Sequence, residues 1–443
     1  MDRWSSRLGF VLASTGSAVG LGNIWRFPST AAENGGGAFV LLFLVVMVLV
    51  GVPALMAELA LGRRTGRNAV DAFLEIRRGS GWGFVGALGV LAAFLILSYY
   101  SVIAGWVLAY CAKAARGQFA GLSAPMLASA FADFAGHPWR PLAWHAAFML
   151  LTVGVVLGGV KRGIERWARL LMPGLVGLLL ALLSRVLMLD GALAGAAWFM
   201  QPHWHQVTWQ AVLRATGQVF FSLSLGMGVM ITYGSYLDRA EDIPRSALYV
   251  AAADTGIALL SGTIVVSALF AFGLPVEGGA GLIFVTLPAV LGQMPLGPVL
   301  TTVFFAMVVV AALTSAVALL EVVVAFVTQR TRLTRRGATT VAACLTYALG
   351  IPSALSQGAY PIDLFGRDFL GAADHAASNL LLPLVGLLTA LFVGWAWGAG
   401  AAVGELHEGS RGFRAARIWS FSIRIVLPIM VAVILLAGLL GIP

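Results

Sequence analysis

The stretch "SAVGLGNIWRFP", residues 17–28, lies inside the first long apolar segment of the chain but departs from the composition of a membrane-spanning helix. Between Gly20 and Pro28 it brings together two glycines, an asparagine, an arginine and a proline. Glycine weakens a helix interior, and an arginine is costly in contact with lipid. The stretch therefore predicts a helix that is interrupted at membrane depth.

The composition of the whole chain defines its broad class. Of 443 residues, 60% are hydrophobic and only 11% are charged, and the mean hydropathy is +0.92. Apolar runs of about 20 residues recur from end to end, which is the length that a helix needs to cross a bilayer. The short alternating segments of a transmembrane β-barrel are not seen. We therefore predict an all-α polytopic membrane protein embedded in a lipid bilayer.

We predict eleven transmembrane helices within a single domain that covers residues 1–443. The predicted spans cover roughly residues 8–31, 37–61, 83–112, 143–160, 165–189, 210–236, 246–274, 297–327, 338–355, 375–398 and 420–441. The connection at 275–296 is rich in glycine and proline, and we expect it to hold a short helix that does not span.

The net charge of +9 does not indicate a nucleic-acid partner, because the basic residues lie in short gaps between apolar segments. With the N-terminus in the cytoplasm, 21 of the 28 lysines and arginines fall on the cytoplasmic side. Short cytoplasmic loops of membrane proteins carry this excess. The prediction is a multi-pass protein of the cell (inner) membrane, with its N-terminus cytoplasmic and its C-terminus outside.

A second predicted span is interrupted in the same way as the first. The sixth contains "FFSLSLGMGVMITYGSY", residues 220–236, in which serines and glycines break the apolar run. Interruptions five spans apart favour two inverted five-helix repeats with discontinuous helices 1 and 6. The repeats would cover about residues 8–189 (spans 1–5) and 210–398 (spans 6–10), with an extra helix at about 420–441.

An interruption at membrane depth has a chemical use. Unpaired backbone groups in lipid are costly unless a ligand satisfies them. One half-helix presents carbonyl oxygens and the other presents N–H groups, so that a zwitterion and small cations could satisfy both. The alternative is that Gly16 and Gly20 form a GxxxG spacing that serves only close helix packing.

Other polar residues lie inside apolar segments. Thr314 and Ser315 are adjacent in the eighth span, where each hydroxyl could bind a ligand or simply bond its own helix. Asp254 lies in the seventh span, and an intramembrane carboxylate is a functional candidate because it needs a partner. Glu58 and Glu321 belong to the same class, although water networks or helix–helix hydrogen bonds could account for both.

These features together resemble the neurotransmitter:sodium symporters, and among them the bacterial amino-acid transporters with the leucine-transporter fold. The resemblance covers nearly the whole chain. It rests on the motifs "WSSRLGFVLASTGSAVGLGNIWRFP", "AAENGGGAF", "SYYSVIAGW", "FFSLSLGMG", "SYLDRAEDIPRSA" and "LTSAVALLE".

The resemblance implies two sodium sites, both made of oxygen ligands as a hard cation requires. The first would use the Ala18 carbonyl, the Asn23 side chain, the carbonyl and hydroxyl of Ser222, Asp254, and the substrate carboxylate. The second would use the carbonyls of Gly16, Val19 and Ala311 and the hydroxyls of Thr314 and Ser315. Because Asp254 supplies a fixed negative charge beside the first cation, we expect that chloride is not required.

The resemblance also places an amino-acid substrate between the two cations. Its carboxylate would meet Leu21, Gly22 and Tyr100, its ammonium would meet Ala18, Phe221 and Ser222 near Ser224, and its side chain would meet Ile96, Met227, Ser315 and Leu319. This mostly apolar lining favours a neutral, hydrophobic or aromatic side chain. Monoamine-carrying relatives hold an Asp at the place of Gly20, so that the ligand here is expected to supply its own carboxylate.

The sequence matches the outer gate of the family better than the inner gate. The resemblance pairs Arg26 with Asp374 as an outer gate above Phe221 and Tyr100, although Asp374 could also be an ordinary loop acid. At the inner gate Trp4 is retained. The usual basic and acidic partners are replaced by Met1 and Gln329, and Arg3 and Trp4 would cover the opening against Asp238 or Tyr236.

Sodium-coupled symport by alternating access is the leading hypothesis, since no nucleotide-binding motif indicates another energy source. The alternative is a non-transporting, Na⁺-dependent amino-acid sensor on the same fold. An enzyme is not expected, because no metal-ligand spacing or nucleophile–base pair is apparent. Assembly into homo-oligomers is compatible with the sequence.

Overall fold

The computed structural model describes residues 3–274, 281–358, 360–364, 366–410 and 412–440. Helices form almost all of this part of the chain, together with one two-stranded antiparallel ribbon in which Asp363 pairs with Asp368. The helices are α1 (Arg7–Ala18), α2 (Gly22–Glu33), α3 (Gly37–Thr65), α4 (Ala69–Ile76), α5 (Gly83–Ala115), α6 (Ala124–Ala135), α7 (Arg140–Leu157), α8 (Val160–Leu187), α9 (Ala192–Met200), α10 (Trp209–Ser222), α11 (Val229–Gly234), α12 (Ile243–Ala271), α13 (Leu282–Gln293), α14 (Gly297–Arg330), α15 (Arg335–Leu355), α16 (Phe369–Ala396), α17 (Ala399–His407) and α18 (Ala416–Ala437), and the strands are β1 (Asp363–Leu364) and β2 (Arg367–Asp368).

The helix lengths confirm an all-α polytopic membrane protein. Within the described residues, nine helices are long and apolar enough to cross a bilayer, and the bent pair α1 and α2 forms a tenth span. The sixth predicted span, at 210–236, consists of α10 and α11, which hold 14 and 6 residues and are each too short to cross alone. Ten spans are therefore supported by length and composition, and the sixth predicted span is two separate half-helices.

The first interruption follows from the glycines and the proline. Helix α1 ends at Ala18, Val19 adopts extended backbone angles, and the chain resumes as α2 with its axis turned by 55°. The first turn of α2, Gly22–Arg26, has the wider π-helical geometry. Pro28 lacks an N–H group, so that it cannot supply the donor that a regular α-helical turn would need there.

The second interruption depends on left-handed backbone conformations. Between α10 and α11, Ser224, Gly226 and Gly228 have φ values of 54°, 73° and 70°. Glycine adopts this conformation at little cost, whereas Ser224 is a non-glycine exception of the kind that marks functional sites. The Gly226 N–H donates to Oε1 of Glu58 on α3 at 2.8 Å, so that a buried carboxylate holds the turn open.

The two interruptions lie in the centre of the helix bundle. The long helices α5 and α14 pack against each other, and α1 packs against α12 and α14. The expected short helix between the seventh and eighth spans is present as α13, and residues 275–280 lie outside the described residues. The single domain and its division into inverted repeats stay predictions.

Candidate functional site

Hydrogen bonds join the two interruptions to each other. The Ser224 hydroxyl donates to the Ser17 carbonyl at 3.0 Å, and the Gln218 side chain donates to the Gly22 carbonyl at 3.1 Å. Each bond runs from the α10–α11 segment to the α1–α2 segment. The unwound ends of four half-helices therefore meet in one place, as the matching interruptions predict.

Three predicted ligands of the first cation form one buried group, which we call the carboxylate cluster: Asn23, Ser222 and Asp254. The Ser222 hydroxyl lies 2.7 Å from each carboxylate oxygen of Asp254, and Asn23 Nδ2 lies 2.7 Å from Oδ1. All three side chains are at most 1% exposed. Three different helices, α2, α10 and α12, thus converge on one carboxylate, and Ala18 lies buried at the end of α1.

The predicted ligands of the second cation form another group, the carbonyl cluster, centred on the hydroxyl of Ser315. Its Oγ lies 3.1 to 3.4 Å from four backbone carbonyl oxygens, those of Gly16, Ser17, Val19 and Ala311. The Thr314 hydroxyl donates to the Ala311 carbonyl at 3.0 Å. A serine hydroxyl has one proton, so that it cannot satisfy four acceptors at once. This excess of oxygen acceptors suits a cation.

The chemistry of both clusters suits Na⁺. Among the described residues, no group of three or more His, Cys, Asp or Glu could hold a metal ion. The two clusters instead combine one carboxylate with neutral hydroxyl, amide and carbonyl oxygens. Hard cations prefer such oxygens, whereas transition metals favour imidazole and thiolate ligands.

A small pocket lies between the interruptions. It is lined by Ser17, Ala18, Gly20, Gly22, Ile96, Tyr100, Phe221, Ser224, Met227, Ser315 and Leu319. Ser17 and Gly20 line the pocket although neither is a predicted substrate contact. Conversely, Leu21 and Ser222 are predicted substrate contacts but do not line the pocket. The Leu21 N–H instead lies 3.3 Å from the Tyr100 hydroxyl, and Ser222 is held by Asp254. The pocket volume is about 20 Å³, room for one water molecule.

Gly20 marks the tightest wall of this pocket. A Cβ atom at this position would lie 2.6 Å from Ser315 Oγ and 2.9 Å from the Tyr100 hydroxyl oxygen. Any side chain at residue 20 would therefore enter the space that the pocket and the carbonyl cluster share. The geometry is consistent with a site that excludes a carboxylate side chain at this position.

A larger cavity of about 340 Å³ adjoins the pocket and shares Gly22, Tyr100 and Phe221 with it. Arg26 and Asp374 both line this outer cavity, but they form no ion pair within the described residues. The Arg26 guanidinium lies 5.4 Å from the centre of the Phe221 ring. Asp374 accepts hydrogen bonds from Tyr99 and Ser378, both at 2.9 Å, and sequence reasoning missed these two partners.

At the end of α1 that is farther from the pocket, the segment before the helix packs against the end of α11. The Trp4 ring packs against Tyr233 and Tyr236, and its indole N–H donates to the Tyr233 carbonyl at 3.0 Å. Arg3 pairs with Asp238 at 3.0 Å, which confirms the expected contact. Met1, the expected replacement of the family's basic gate residue, lies outside the described residues. Gln329 accepts from the side-chain amide of Asn68 at 2.9 Å.

Helix–helix contacts account for the two other intramembrane carboxylates. Glu58 accepts from the Gly226 N–H, as described above. Glu321 is fully buried, pairs with Arg335 at 2.5 Å and accepts from the Tyr236 hydroxyl at 2.8 Å. Both carboxylates therefore join helices rather than line the pocket.

A multi-pass helical protein in which two broken helices enclose a buried pocket has the architecture of a secondary transporter. The model of the sodium:neurotransmitter symporter family matches residues 1–121 and 133–442 of the chain. This chain belongs to the sodium:neurotransmitter symporter family. The match confirms the resemblance that its motifs indicate, and the members that it resembles are transporters and not enzymes.

Individual relatives extend over the same length. The chain is 39% identical to the uncharacterized sodium-dependent transporter YhdH of Bacillus subtilis (strain 168), over 99% of this chain and 98% of the relative. It is 33% identical to an uncharacterized sodium-dependent transporter of Haemophilus influenzae, over 98% of both chains. Among solved structures, MhsT in complex with L-phenylalanine superposes with a TM-score of 0.92 at 41% identity, over 99% of this chain and 100% of that one.

Proposed function

We propose that the chain transports neutral, hydrophobic or aromatic L-amino acids into the cell together with Na⁺, by alternating access. The observation that carries this proposal is the pocket between the two interruptions, where unwound backbone and apolar side chains meet two oxygen clusters. That combination matches a zwitterion with an apolar side chain and small cations beside it. The solved relative that holds L-phenylalanine supports the same substrate class.

The substrate carboxylate is proposed to bind at the start of α2. The Leu21 and Gly22 N–H groups lie at the positive end of a half-helix, and the Tyr100 hydroxyl already lies 3.3 Å from the Leu21 nitrogen. The ammonium would face carbonyls at the ends of α1 and α10, those of Ala18, Phe221 and Ser222. Three groups at each end of a small zwitterion would fix its orientation.

The substrate side chain would then point toward Ile96, Met227 and Leu319, which line the same pocket. Because the pocket is only about 20 Å³, a bulky side chain requires neighbouring groups to move. Met227 is flexible, and Phe221 borders the larger outer cavity into which its ring could turn. An aromatic substrate therefore fits by displacing these two side chains.

Each oxygen cluster is proposed to hold one sodium ion. In the carboxylate cluster, the cation would replace the hydrogen bonds that Asn23 and Ser222 now give to Asp254, with the Ala18 carbonyl and the substrate carboxylate as further ligands. In the carbonyl cluster, the cation would be coordinated by the oxygens of Gly16, Val19, Ala311, Thr314 and Ser315. Because the substrate carboxylate completes only the first site, that site would couple Na⁺ binding to substrate binding.

The asymmetry of the two sides supports alternating access. The outer cavity approaches the pocket from the side of Arg26 and Asp374, whereas Trp4 covers the opposite side. We propose that Arg26 and Asp374 come together above Phe221 and Tyr100 when substrate binds, and that the Trp4 contacts then separate. By the positive-inside rule, the Trp4 side is cytoplasmic, as is the N-terminus, and the C-terminus lies outside.

Reconstitution tests the proposal. Purified protein in proteoliposomes should accumulate radiolabelled L-phenylalanine when Na⁺ is outside, and replacing Na⁺ with K⁺ should abolish uptake. Unlabelled lysine, glutamate or a monoamine should not compete, whereas leucine or tryptophan should. Na⁺-dependent binding without accumulation would indicate a sensor instead, and competition by lysine or glutamate would contradict the substrate class.

A further inference from the structure

A second large cavity lies outside the site described above. Its volume is about 540 Å³, and it is enclosed by α3, by the start of α12 and by α18 with residues 412–415 before it. Among its lining residues, Arg245 and Arg414 lie at the starts of α12 and α18, whereas the apolar side chains of Val48 and Leu49 lie in the middle of α3. The cavity is therefore polar at one end and apolar at the other.

The polar end carries more positive than negative charge. Arg245 lies 3.5 Å from Asp242, whose carboxylate also accepts from the Arg245 backbone N–H as the cap of α12. Arg414 is exposed, and in the part of the chain that the structure describes no carboxylate lies within ion-pairing distance of it. One acid thus faces two guanidinium groups. The positive ends of α12 and α18 point to the same region and add to its attraction for an anion.

The apolar end faces the bilayer. The side chains of Val48, Leu248 and Ile418 are 65%, 53% and 71% exposed. Because all three belong to membrane-spanning helices, these exposed apolar side chains face lipid. The wall behind them is fixed by hydrogen bonds between helices. The Trp419 indole N–H donates to the Pro53 carbonyl at 3.1 Å, and the Ser422 hydroxyl donates to the Leu49 carbonyl at 2.5 Å.

We propose that this cavity binds one phospholipid with an anionic headgroup. Its phosphate would lie between Arg245 and Arg414, and an acyl chain would follow Val48, Leu248 and Ile418 along the cavity. A soluble phosphate would use only the polar end and would leave the apolar walls without a partner. A zwitterionic headgroup would bring a second cation toward the arginines, so that charge complementarity favours a net anionic lipid.

Native mass spectrometry of the full chain, released from nanodiscs that contain equal amounts of phosphatidylglycerol and phosphatidylcholine, tests this proposal. The protein should retain phosphatidylglycerol in preference to phosphatidylcholine, without Na⁺ or amino acid present. The double variant Arg245→Gln with Arg414→Gln should lower this preference by roughly 25-fold, since each basic residue near a membrane surface contributes about fivefold.

A matched control removes the same charge from the same side of the protein. Arg332→Gln with Arg336→Gln changes two exposed arginines that do not line the cavity, and it should leave the preference unchanged. Equal losses in the two double variants would overturn the proposal, because the effect would then be one of general surface charge. Equal retention of both lipids by the wild-type protein would overturn it as well.

Two further measurements test whether the losses come from misfolding and whether a soluble anion binds in place of a lipid. The single variants Arg245→Gln and Arg414→Gln should each lose about fivefold, and a monodisperse elution profile confirms that they fold. An excess of glycerol phosphate should not displace the bound lipid. Displacement would show that a soluble phosphate, and not a lipid, occupies the polar end. Because no transport is measured, failure here would not bear on sodium-coupled symport.

Discussion

The carboxylate cluster and the carbonyl cluster both include residues of the interrupted helices, but they differ in charge and in hydrogen bonding. In the first, a buried carboxylate on α12 accepts from an amide and a hydroxyl, so that donors and acceptors are matched. In the second, one hydroxyl faces four carbonyl oxygens and no acid belongs to the group. One site therefore carries a charge with its hydrogen bonds satisfied, and the other is neutral with acceptors in excess.

This difference predicts different consequences for a bound cation. At the carboxylate cluster, Na⁺ must compete with the hydrogen bonds of Asn23 and Ser222, but it gains a full opposite charge in a buried site. At the carbonyl cluster, Na⁺ competes with the hydroxyl protons of Thr314 and Ser315, but it meets more oxygen acceptors than those two protons can satisfy. Substitutions in the carboxylate cluster should accordingly have larger effects than substitutions in the carbonyl cluster.

The largest effect is expected for Asp254→Ala. The change removes the only carboxylate of its cluster and leaves the Asn23 amide and the Ser222 hydroxyl without their partner. Loss of a charged group from a buried hydrogen-bonded set is expected to weaken Na⁺-dependent substrate binding by more than about 100-fold. Equilibrium binding of radiolabelled L-phenylalanine at increasing Na⁺ concentration measures the effect.

A control separates this effect from misfolding. Ala253→Gly lies next to Asp254 on the same helix, outside the cluster, and should retain binding within a few-fold. If Asp254→Ala binds Na⁺ and substrate as tightly as the control, the carboxylate cluster is not a cation site, and the contrast between the two clusters fails.

Gly20→Ala should have the next largest effect, because residue 20 lies where the pocket meets the carbonyl cluster. The added Cβ would lie 2.6 Å from Ser315 Oγ, and such overpacking is expected to weaken substrate binding by roughly 10- to 100-fold. Gly217→Ala on α10 is the matched control, since a Cβ there would meet nothing within 4 Å. Equal binding by both variants would show that the pocket does not hold the substrate.

Ser315→Ala tests the carbonyl cluster itself. Removing one neutral oxygen ligand is expected to weaken the apparent affinity for Na⁺ by about tenfold, less than for Asp254→Ala. The Thr314 hydroxyl now donates to the Ala311 carbonyl at 3.0 Å and would have to leave this bond to coordinate the cation. If it does so, Thr314→Val should produce a loss similar to that of Ser315→Ala. Sodium titrations of transport rate measure both variants. A loss for Ser315→Ala larger than that for Asp254→Ala would reverse the order of the two clusters.

The sequence predicts residues of the two clusters best where a side chain, and not the backbone, supplies the ligand atom. Asp254, Thr314 and Ser315 could be proposed because polar side chains are unusual in apolar segments, whereas Asn23 and Ser222 were implied as ligands by the family resemblance. The structure brings these residues into two clusters. Ser17 is not among the predicted residues, yet its carbonyl faces Ser315 and its hydroxyl donates to the Ser224 hydroxyl oxygen at 3.1 Å. Distances also could not be predicted: Arg26 and Asp374 line one cavity without pairing, and the number of complete spans changes because α10 and α11 are separate short helices.

The smallest effect is expected from replacing chloride. If Asp254 supplies the negative charge beside the first sodium ion, Na⁺-driven uptake should change less than about twofold when gluconate replaces chloride. The variant Asp254→Asn keeps the shape of the side chain but loses its charge, so that any activity that it retains should become higher in chloride than in gluconate. Wild-type uptake that collapses in gluconate would show that the carboxylate does not take the place of an anion. A chloride response in Ser315→Ala, whose cluster carries no charge, would contradict the contrast from the other side.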